Sequence, residues 1–84
     1  MAHVRLSGAA EKDLARLPRV YLAAATQALR DLGAEPLSGK PLRGEYLGLR
    51  SRRVGAYRIV YHFDPRSGQL EVVAIRHRRE AYRR

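Results

Sequence analysis

Residues 57–63, Tyr-Arg-Ile-Val-Tyr-His-Phe, form the most regular stretch of this 84-residue chain. Large apolar side chains alternate there with Arg58, Val60 and His62, and a period of two is typical of a strand with two different faces. The sequence therefore predicts a strand that packs its Tyr/Ile/Tyr/Phe face on a core and turns Arg58 to the opposite face.

Strands are also predicted on both sides of this stretch. Gly55 and Ala56 precede it, and a two-residue connection with glycine first favours a type II′ hairpin to a strand over residues 47–54. Residues 64–68 (Asp-Pro-Arg-Ser-Gly) have the composition of a tight turn, and residues 70–76 alternate again. Three consecutive antiparallel strands are expected.

The first half of the chain predicts a short strand over residues 3–7 and then two helices. Ser7 is suited to cap the first helix, in which apolar residues recur every three or four positions. The second helix is expected over residues 19–32, with Gly33 as its stop. Residues 34–46 contain two prolines and two glycines and are expected to form a loop, without the spacing of a phosphate-binding P-loop.

The element order β-α-α-β-β-β predicts one α+β domain over residues 1–84. Two N-terminal helices should pack on one face of a small, mainly antiparallel four-stranded sheet. The chain has no cysteine for a disulfide, no signal-peptide pattern at its start and no apolar run of membrane-spanning length. A soluble, cytoplasmic protein is expected.

Charge is the clearest indication of function. The net charge is +9, and fifteen of the seventeen basic residues are arginines. Through Leu42 the chain has six basic and four acidic residues, whereas from Arg43 onward it has eleven and four. A GC-rich genome explains arginine in place of lysine, but not this asymmetry. A polyanionic partner such as nucleic acid or the ribosome is therefore expected.

Most arginines of the second half are candidate phosphate ligands. In a strand over residues 47–54, Arg50 and Arg52 share one face and Arg53 lies on the other. We interpret Arg50 and Arg52 as a pair of phosphate clamps on the open sheet face; solvated charge on an edge strand is the alternative. The candidate set for RNA or phosphate binding is Arg43, Arg50, Arg52, Arg53, Arg76 and Arg79.

Four residues are candidates for catalysis. Arg58 interrupts an apolar central strand and needs an anionic partner, which is either Glu71, Glu45 or a ligand phosphate. RNA cleavage also needs a base, an acid and cations for the charge that develops on phosphorus. The side chains assigned to this chemistry are Arg58, His77, Arg78 and Tyr82, with an apolar C-terminal anchor as the alternative for Tyr82.

No metal site or cofactor is expected. His3, His62 and His77 are scattered, and no cluster of histidine and carboxylate residues has the spacing of metal ligands. His3 and His62 are interpreted as structural or surface residues.

Two motifs resemble the RelE/ParE superfamily of toxins from type II toxin–antitoxin modules, and its RelE-like branch in particular. Residues 39–61 are similar to a K-P-L-x-G loop followed by an L-R-x-x-R-x-G-x-Y-R hairpin. Residues 75–82 are similar to the final strand I-x-H-R-x-x-x-Y. The resemblance implies a toxin that enters the ribosomal A site, next to 16S rRNA, and cuts mRNA there by metal-independent 2′-OH attack. It also implies a cognate antitoxin that covers the basic face.

Residue by residue, the family's central-strand arginine matches Arg58, its arginine after the last strand matches Arg78, and its C-terminal tyrosine matches Tyr82. Family members often place lysines on the first hairpin strand, where this chain has arginines. Arginine is a poorer proton donor, so proton transfer is assigned to His77 or Tyr82. The alternatives are a ParE-like inhibitor of DNA gyrase, which cuts nothing, and a non-catalytic relative that binds only antitoxin or RNA.

Overall fold

A computed structural model describes residues 1–77 as two helices packed on one face of a five-stranded sheet. The strand order is β1-β5-β4-β3-β2, in which β1 runs parallel to β5 and the other neighbours are antiparallel. The elements are β1 (His3–Leu6), α1 (Gly8–Ala15), α2 (Arg19–Ala34), β2 (Lys40–Pro41), a 3-10 turn (Gly44–Tyr46), β3 (Arg50–Val54), β4 (Tyr57–Asp64) and β5 (Gln69–His77).

The predicted fold class is confirmed, with one strand more than expected. β2 lies inside residues 34–46, the predicted loop, and pairs with β3 through Lys40–Ser51 and Pro41–Arg50. A two-residue strand rich in turn residues has no detectable period, so the sequence does not reveal it. None of the helices within residues 1–77 combines the length and apolar character needed to cross a membrane.

Two other predicted boundaries were wrong. β3 begins at Arg50 rather than at residue 47, and Leu47 is exposed because the chain turns through the 3-10 segment and Gly48, whose φ is +94°. α2 continues past Gly33 to Ala34. Gly33 is buried within the helix, where its carbonyl accepts a hydrogen bond from the Ala2 N–H at 2.7 Å.

The helices begin as their sequence predicts. Ser7 caps α1, and its hydroxyl accepts a hydrogen bond from the Ala10 N–H at 3.0 Å. The Ser7 hydroxyl also donates to the Val73 carbonyl of β5 at 3.2 Å. Pro18 precedes the first residue of α2. The cap therefore fixes the start of α1 against the sheet as well as within the helix.

The core lies between the helices and one face of the sheet. Ile59 and Tyr61 of β4 are fully buried there together with Leu32 of α2, and Tyr57 and Phe63 pack around them. The predicted apolar face of β4 is thus confirmed. The sheet face opposite the helices, called the open face below, carries the alternate residues.

The hairpin between β3 and β4 sets the register of the site. Val54 pairs with Tyr57 across Gly55 and Ala56, and Gly55 has φ +59° whereas Ala56 has a negative-φ backbone. This combination is the one expected for a type II′ turn. A Cβ on Gly55 would also lie 2.6 Å from the Tyr21 ring, so the turn leaves no room for a side chain.

Candidate nucleic-acid interface

Three arginines lie directly across from one another on the open face. Arg53 of β3 pairs with Arg58 of β4, and Arg58 pairs with Arg76 of β5. Paired residues point to the same side of a sheet, and like charges in that position are destabilising. We call this set the arginine row. It concentrates three cations on one stripe of the surface, which favours binding of a polyanion.

Arg58 is the most enclosed member of the row. β4 lies between β3 and β5, and the Arg58 Nε atom is buried. Glu71, one of its two expected carboxylate partners within the fold, instead forms an ion pair with Arg5 at 3.8 Å. Arg58 projects from the centre of the sheet, where the strands on both sides restrict its movement.

Arg76 is at the α1 end of the row. Its Nε lies 3.8 Å from a carboxylate oxygen of Asp13 on α1, and its side chain is half exposed. The same Asp13 oxygen accepts a hydrogen bond from the Ile75 N–H at 2.9 Å. β1 pairs with β5 only as far as Val72, so Asp13 binds a backbone N–H of β5 that has no strand partner on that side within residues 1–77. Asp13 thus lies closer to the Ile75 N–H than to the Arg76 guanidinium, and the Arg76 side chain stays half exposed.

The expectation that Arg50 and Arg52 point to the open face was wrong. Arg52 pairs with Ile59 across the hairpin and therefore lies on the helix side, where it forms an ion pair with Asp31 of α2 at 3.0 Å. Hydrogen bonds from Gln27 and Arg52 hold the pKa of Asp31 below its ordinary value. The Arg52 guanidinium thus joins β3 to α2.

Arg50 also lies on the helix side, because it pairs with the buried Tyr61. Its Nη1 donates to the Gly39 carbonyl at 2.8 Å and to the Leu37 carbonyl at 3.2 Å. Arg50 therefore holds the chain between α2 and β2. Of the three arginines on β3, only Arg53 lies on the open face.

His77 is separated from Arg58 by the sheet itself. It pairs with Tyr57 and lies on the helix side, with the two rings in an edge-to-face contact at 5.4 Å between centroids. A pocket of about 280 Å³ beside it is lined by Asp13 of α1, by the two residues after the α1 C-terminus, and by the ends of β4 and β5. His77 and Arg58, which the sequence assigns together to catalysis, therefore lie on opposite faces of the sheet.

The other predicted site residues are placed only in part. Arg43 is exposed and directly precedes the 3-10 turn, so it belongs to the connection between β2 and β3 and not to the strands of the arginine row. Arg78, Arg79 and Tyr82 lie outside the described residues. Within residues 1–77, no group of three or more histidine or acidic side chains is arranged to hold a metal ion.

Two basic residues of the open face, Arg5 and Lys40, are absent from the candidate ligands proposed from the sequence; Arg5 pairs with Glu71, which pairs with His62. Lys40 pairs with Ser51, which pairs with Val60, and that places Lys40 on the same face as the arginine row. The sequence could not indicate this position, since Lys40 was assigned to a loop and a loop has no predictable face.

Comparison with known proteins identifies the family. The family profile described as the ParE toxin of type II toxin–antitoxin systems, parDE, matches residues 4–82. The chain belongs to this toxin family. Among curated relatives of this toxin, Toxin RelG of Mycobacterium tuberculosis is 42% identical over 83 residues, which covers 96% of this chain and 95% of the relative. Toxin RelE of the same organism is 37% identical and covers 96% and 86%.

A solved structure agrees with the fold of the toxin. The toxin–antitoxin complex RelBE2 of Mycobacterium tuberculosis contains a chain that matches with a TM-score of 0.83 and 38% identity, over 90% of this chain and 96% of that one. The predicted membership of the RelE/ParE superfamily is confirmed. The protein is a type II toxin, and its arginine row lies on the sheet face opposite the helices.

Proposed function

We propose that this toxin is a ribosome-dependent mRNA endonuclease that cleaves mRNA in the A site without a metal ion. The arginine row is the observation that carries the proposal. Three guanidinium groups on one face of the sheet suit the repeated phosphates of a single RNA strand, because arginine binds phosphate through two parallel hydrogen bonds. The curated relatives RelG and RelE support the RelE-like branch.

The proposed reaction is attack of a ribose 2′-oxygen on the adjacent phosphorus. The bond to the 5′-oxygen breaks, and the products are a 2′,3′-cyclic phosphate and a 5′-hydroxyl. A base must take the 2′-OH proton, an acid must give a proton to the departing oxygen, and cations must stabilise the charge on phosphorus. We assign the last role to Arg58, the most fixed cation of the row.

Proton transfer is assigned to the end of the chain. His77 faces the helices and contacts Tyr57, so its ring lies on the far side of the sheet from Arg58. By the family resemblance we propose Tyr82 as the proton-transferring group and Arg78 as a further cation for the phosphate. A direct role for His77 would require an RNA path around the edge of β5.

The decisive assay is cleavage of mRNA on programmed ribosomes by the purified toxin in EDTA. We expect cuts within the A-site codon when ribosomes are present and none in free mRNA. Intact mRNA in both reactions would refute the proposal. The toxin should then be assayed against DNA gyrase, since the matching family profile is that of a ParE toxin.

Arg52 and Arg53 provide a matched pair of variants, since they are adjacent on β3 and lie on opposite faces. We expect Arg53→Ala to lower the cleavage rate about tenfold, the equivalent of one charge-assisted hydrogen bond of about 1.5 kcal/mol. Arg52→Ala removes the same charge but breaks a partly buried contact with Asp31 on the helix side of the sheet, so its rate should equal that of the wild type. Equal losses in both variants would mean that net charge, rather than the arginine row, drives the reaction.

We also propose that a RelB-type antitoxin binds this toxin in the cytoplasm. The structure of the Mycobacterium tuberculosis relative is that of a toxin–antitoxin complex. A chain with net charge +9 would attract acidic segments of such a partner to its open face. Added RNA should then compete with the antitoxin if both cover the arginine row, which a pull-down at increasing RNA concentration measures.

A further inference from the structure

Lys40 lies at the edge of the open face, one row away from the arginine row. It pairs with Ser51, while Arg53 is two residues further along the same strand. Neighbouring strands are about 4.8 Å apart and two residues span about 6.7 Å, so the Cα atoms of Lys40 and Arg53 are roughly 8 Å apart. Both side chains project from the same face, and Lys40 is exposed.

The chain that leads to Lys40 is held by two side chains of the sheet. The Tyr61 hydroxyl accepts a hydrogen bond from the Gly39 N–H at 2.9 Å and donates to the Pro36 carbonyl at 2.8 Å. Arg50 donates to the carbonyls of Gly39 and Leu37. We call Tyr61 and Arg50, which are direct cross-strand partners, the loop clamp.

The loop clamp fixes the position at which Lys40 begins β2. Its contacts are to residues 36, 37 and 39, so they end directly before Lys40. Tyr61 is fully buried, and burial raises the pKa of its hydroxyl, which therefore stays protonated as a donor. β2 itself is only two residues long and forms an edge of the sheet, so its own pairing offers little rigidity.

We propose that Lys40 is a phosphate ligand for RNA on the open face, and that Arg50 and Tyr61 are positioning residues that keep it beside the arginine row. The inference rests on the proposed function in taking RNA as the ligand. Lys40 extends the row across β3 to the far edge of the sheet. An RNA strand that crosses the sheet from β5 to β2 then meets Arg76, Arg58, Arg53 and Lys40 in turn.

Salt dependence of RNA binding tests the first part directly. Each phosphate contact on a single strand contributes about 0.7 to the slope of log K against log salt concentration. We expect Lys40→Ala to lower that slope by about 0.7 for a single-stranded RNA oligonucleotide bound to the full-length toxin. Lys40→Arg should keep it. Lys12→Ala, which removes the chain's other lysine from α1, is the matched control and should keep it too.

The positioning role needs a measurement that loss of stability alone would not change. Arg50→Met should lower the slope in the wild-type background but not in a Lys40→Ala background, at a temperature where both variants are folded by circular dichroism. An equal drop in both backgrounds would overturn the positioning role, because Arg50 would then bind phosphate itself. A slope for Lys40→Ala equal to that of Lys12→Ala would overturn the whole inference.

Failure of the proposed function would look different. Suppose that Arg53→Ala and Lys40→Ala both lower the slope but the wild-type toxin leaves ribosome-bound mRNA intact. That result would support the RNA-binding face and refute the proposed nuclease activity. If Arg53→Ala lowers the slope and Lys40→Ala does not, then the face binds RNA without Lys40, and only the present inference is overturned.

Discussion

Arg58→Ala is expected to lower the rate of A-site mRNA cleavage by about 100-fold or more, the usual cost of removing one donor to a developing negative charge. The reason is the position of Arg58 at the centre of the sheet, between Arg53 and Arg76, with its Nε atom buried. A fixed cation needs no rearrangement when charge builds up on phosphorus. The measurement is the single-turnover rate of cleavage on programmed ribosomes.

Two further variants separate this role from general charge. Arg58→Lys keeps the charge but loses the planar fork that binds two phosphate oxygens, so its rate should fall between those of the wild type and Arg58→Ala. Arg66→Ala removes an exposed arginine from the turn between β4 and β5, far along the strand from the arginine row, and should leave the rate unchanged. A fully active Arg58→Ala variant would exclude Arg58 from catalysis.

The hairpin turn predicts which sheet face each arginine of β3 occupies, whereas the alternation of the strand residues does not. Alternation showed that Arg50 and Arg52 share a face but not which face. The two-residue turn fixes the register, so Val54 pairs with Tyr57 and Arg52 with Ile59. Counting back from Gly55 and Ala56 would have placed Arg52 beside the apolar face of β4 and Arg53 beside Arg58.

His77 illustrates a limit that counting cannot overcome. Leu70 and Val72 face the core, so strict alternation would place His77 on the open face. β5 instead has an irregularity opposite Val60 and Tyr61, where Val60 pairs with Ala74 and Tyr61 with Val72. The extra residue reverses the two faces for the rest of β5, so that Ile75 is buried in the core. Nothing in the apolar run of residues 70–75 indicates where such a bulge lies.

The fold class could be predicted because each of its elements has a strong local pattern. β2 could not, because its position depends on side chains far away in sequence, namely Arg50 and Tyr61. For the same reason the sequence does not predict the sheet face of Lys40, so Lys40 is absent from the candidate ligands. Contacts between a loop and buried polar groups of a sheet leave no periodic pattern in the loop itself.

Gly39→Ala tests the loop clamp at its closest contact, and we expect it to destabilise the protein by about 3 kcal/mol. A Cβ on Gly39 would lie 2.7 Å from Cε1 and 2.9 Å from Cζ of Tyr61, and closer still to its hydroxyl oxygen. Overpacking costs about 1–3 kcal/mol, and loss of the buried hydrogen bonds adds about 1–3 kcal/mol. For a domain of this size, the Tm should fall by more than about 10 °C.

Gly8→Ala is the matched control, because no atom lies within 4 Å of the position of its Cβ at the start of α1. Its Tm should be unchanged or slightly higher. Tyr61→Phe removes the atom nearest to the new methyl group, so the double variant Gly39→Ala/Tyr61→Phe should be more stable than the sum of the two single changes predicts. If Gly39→Ala melts within about 2 °C of the wild type, the chain before Lys40 moves freely, and Tyr61 does not fix the edge of the open face.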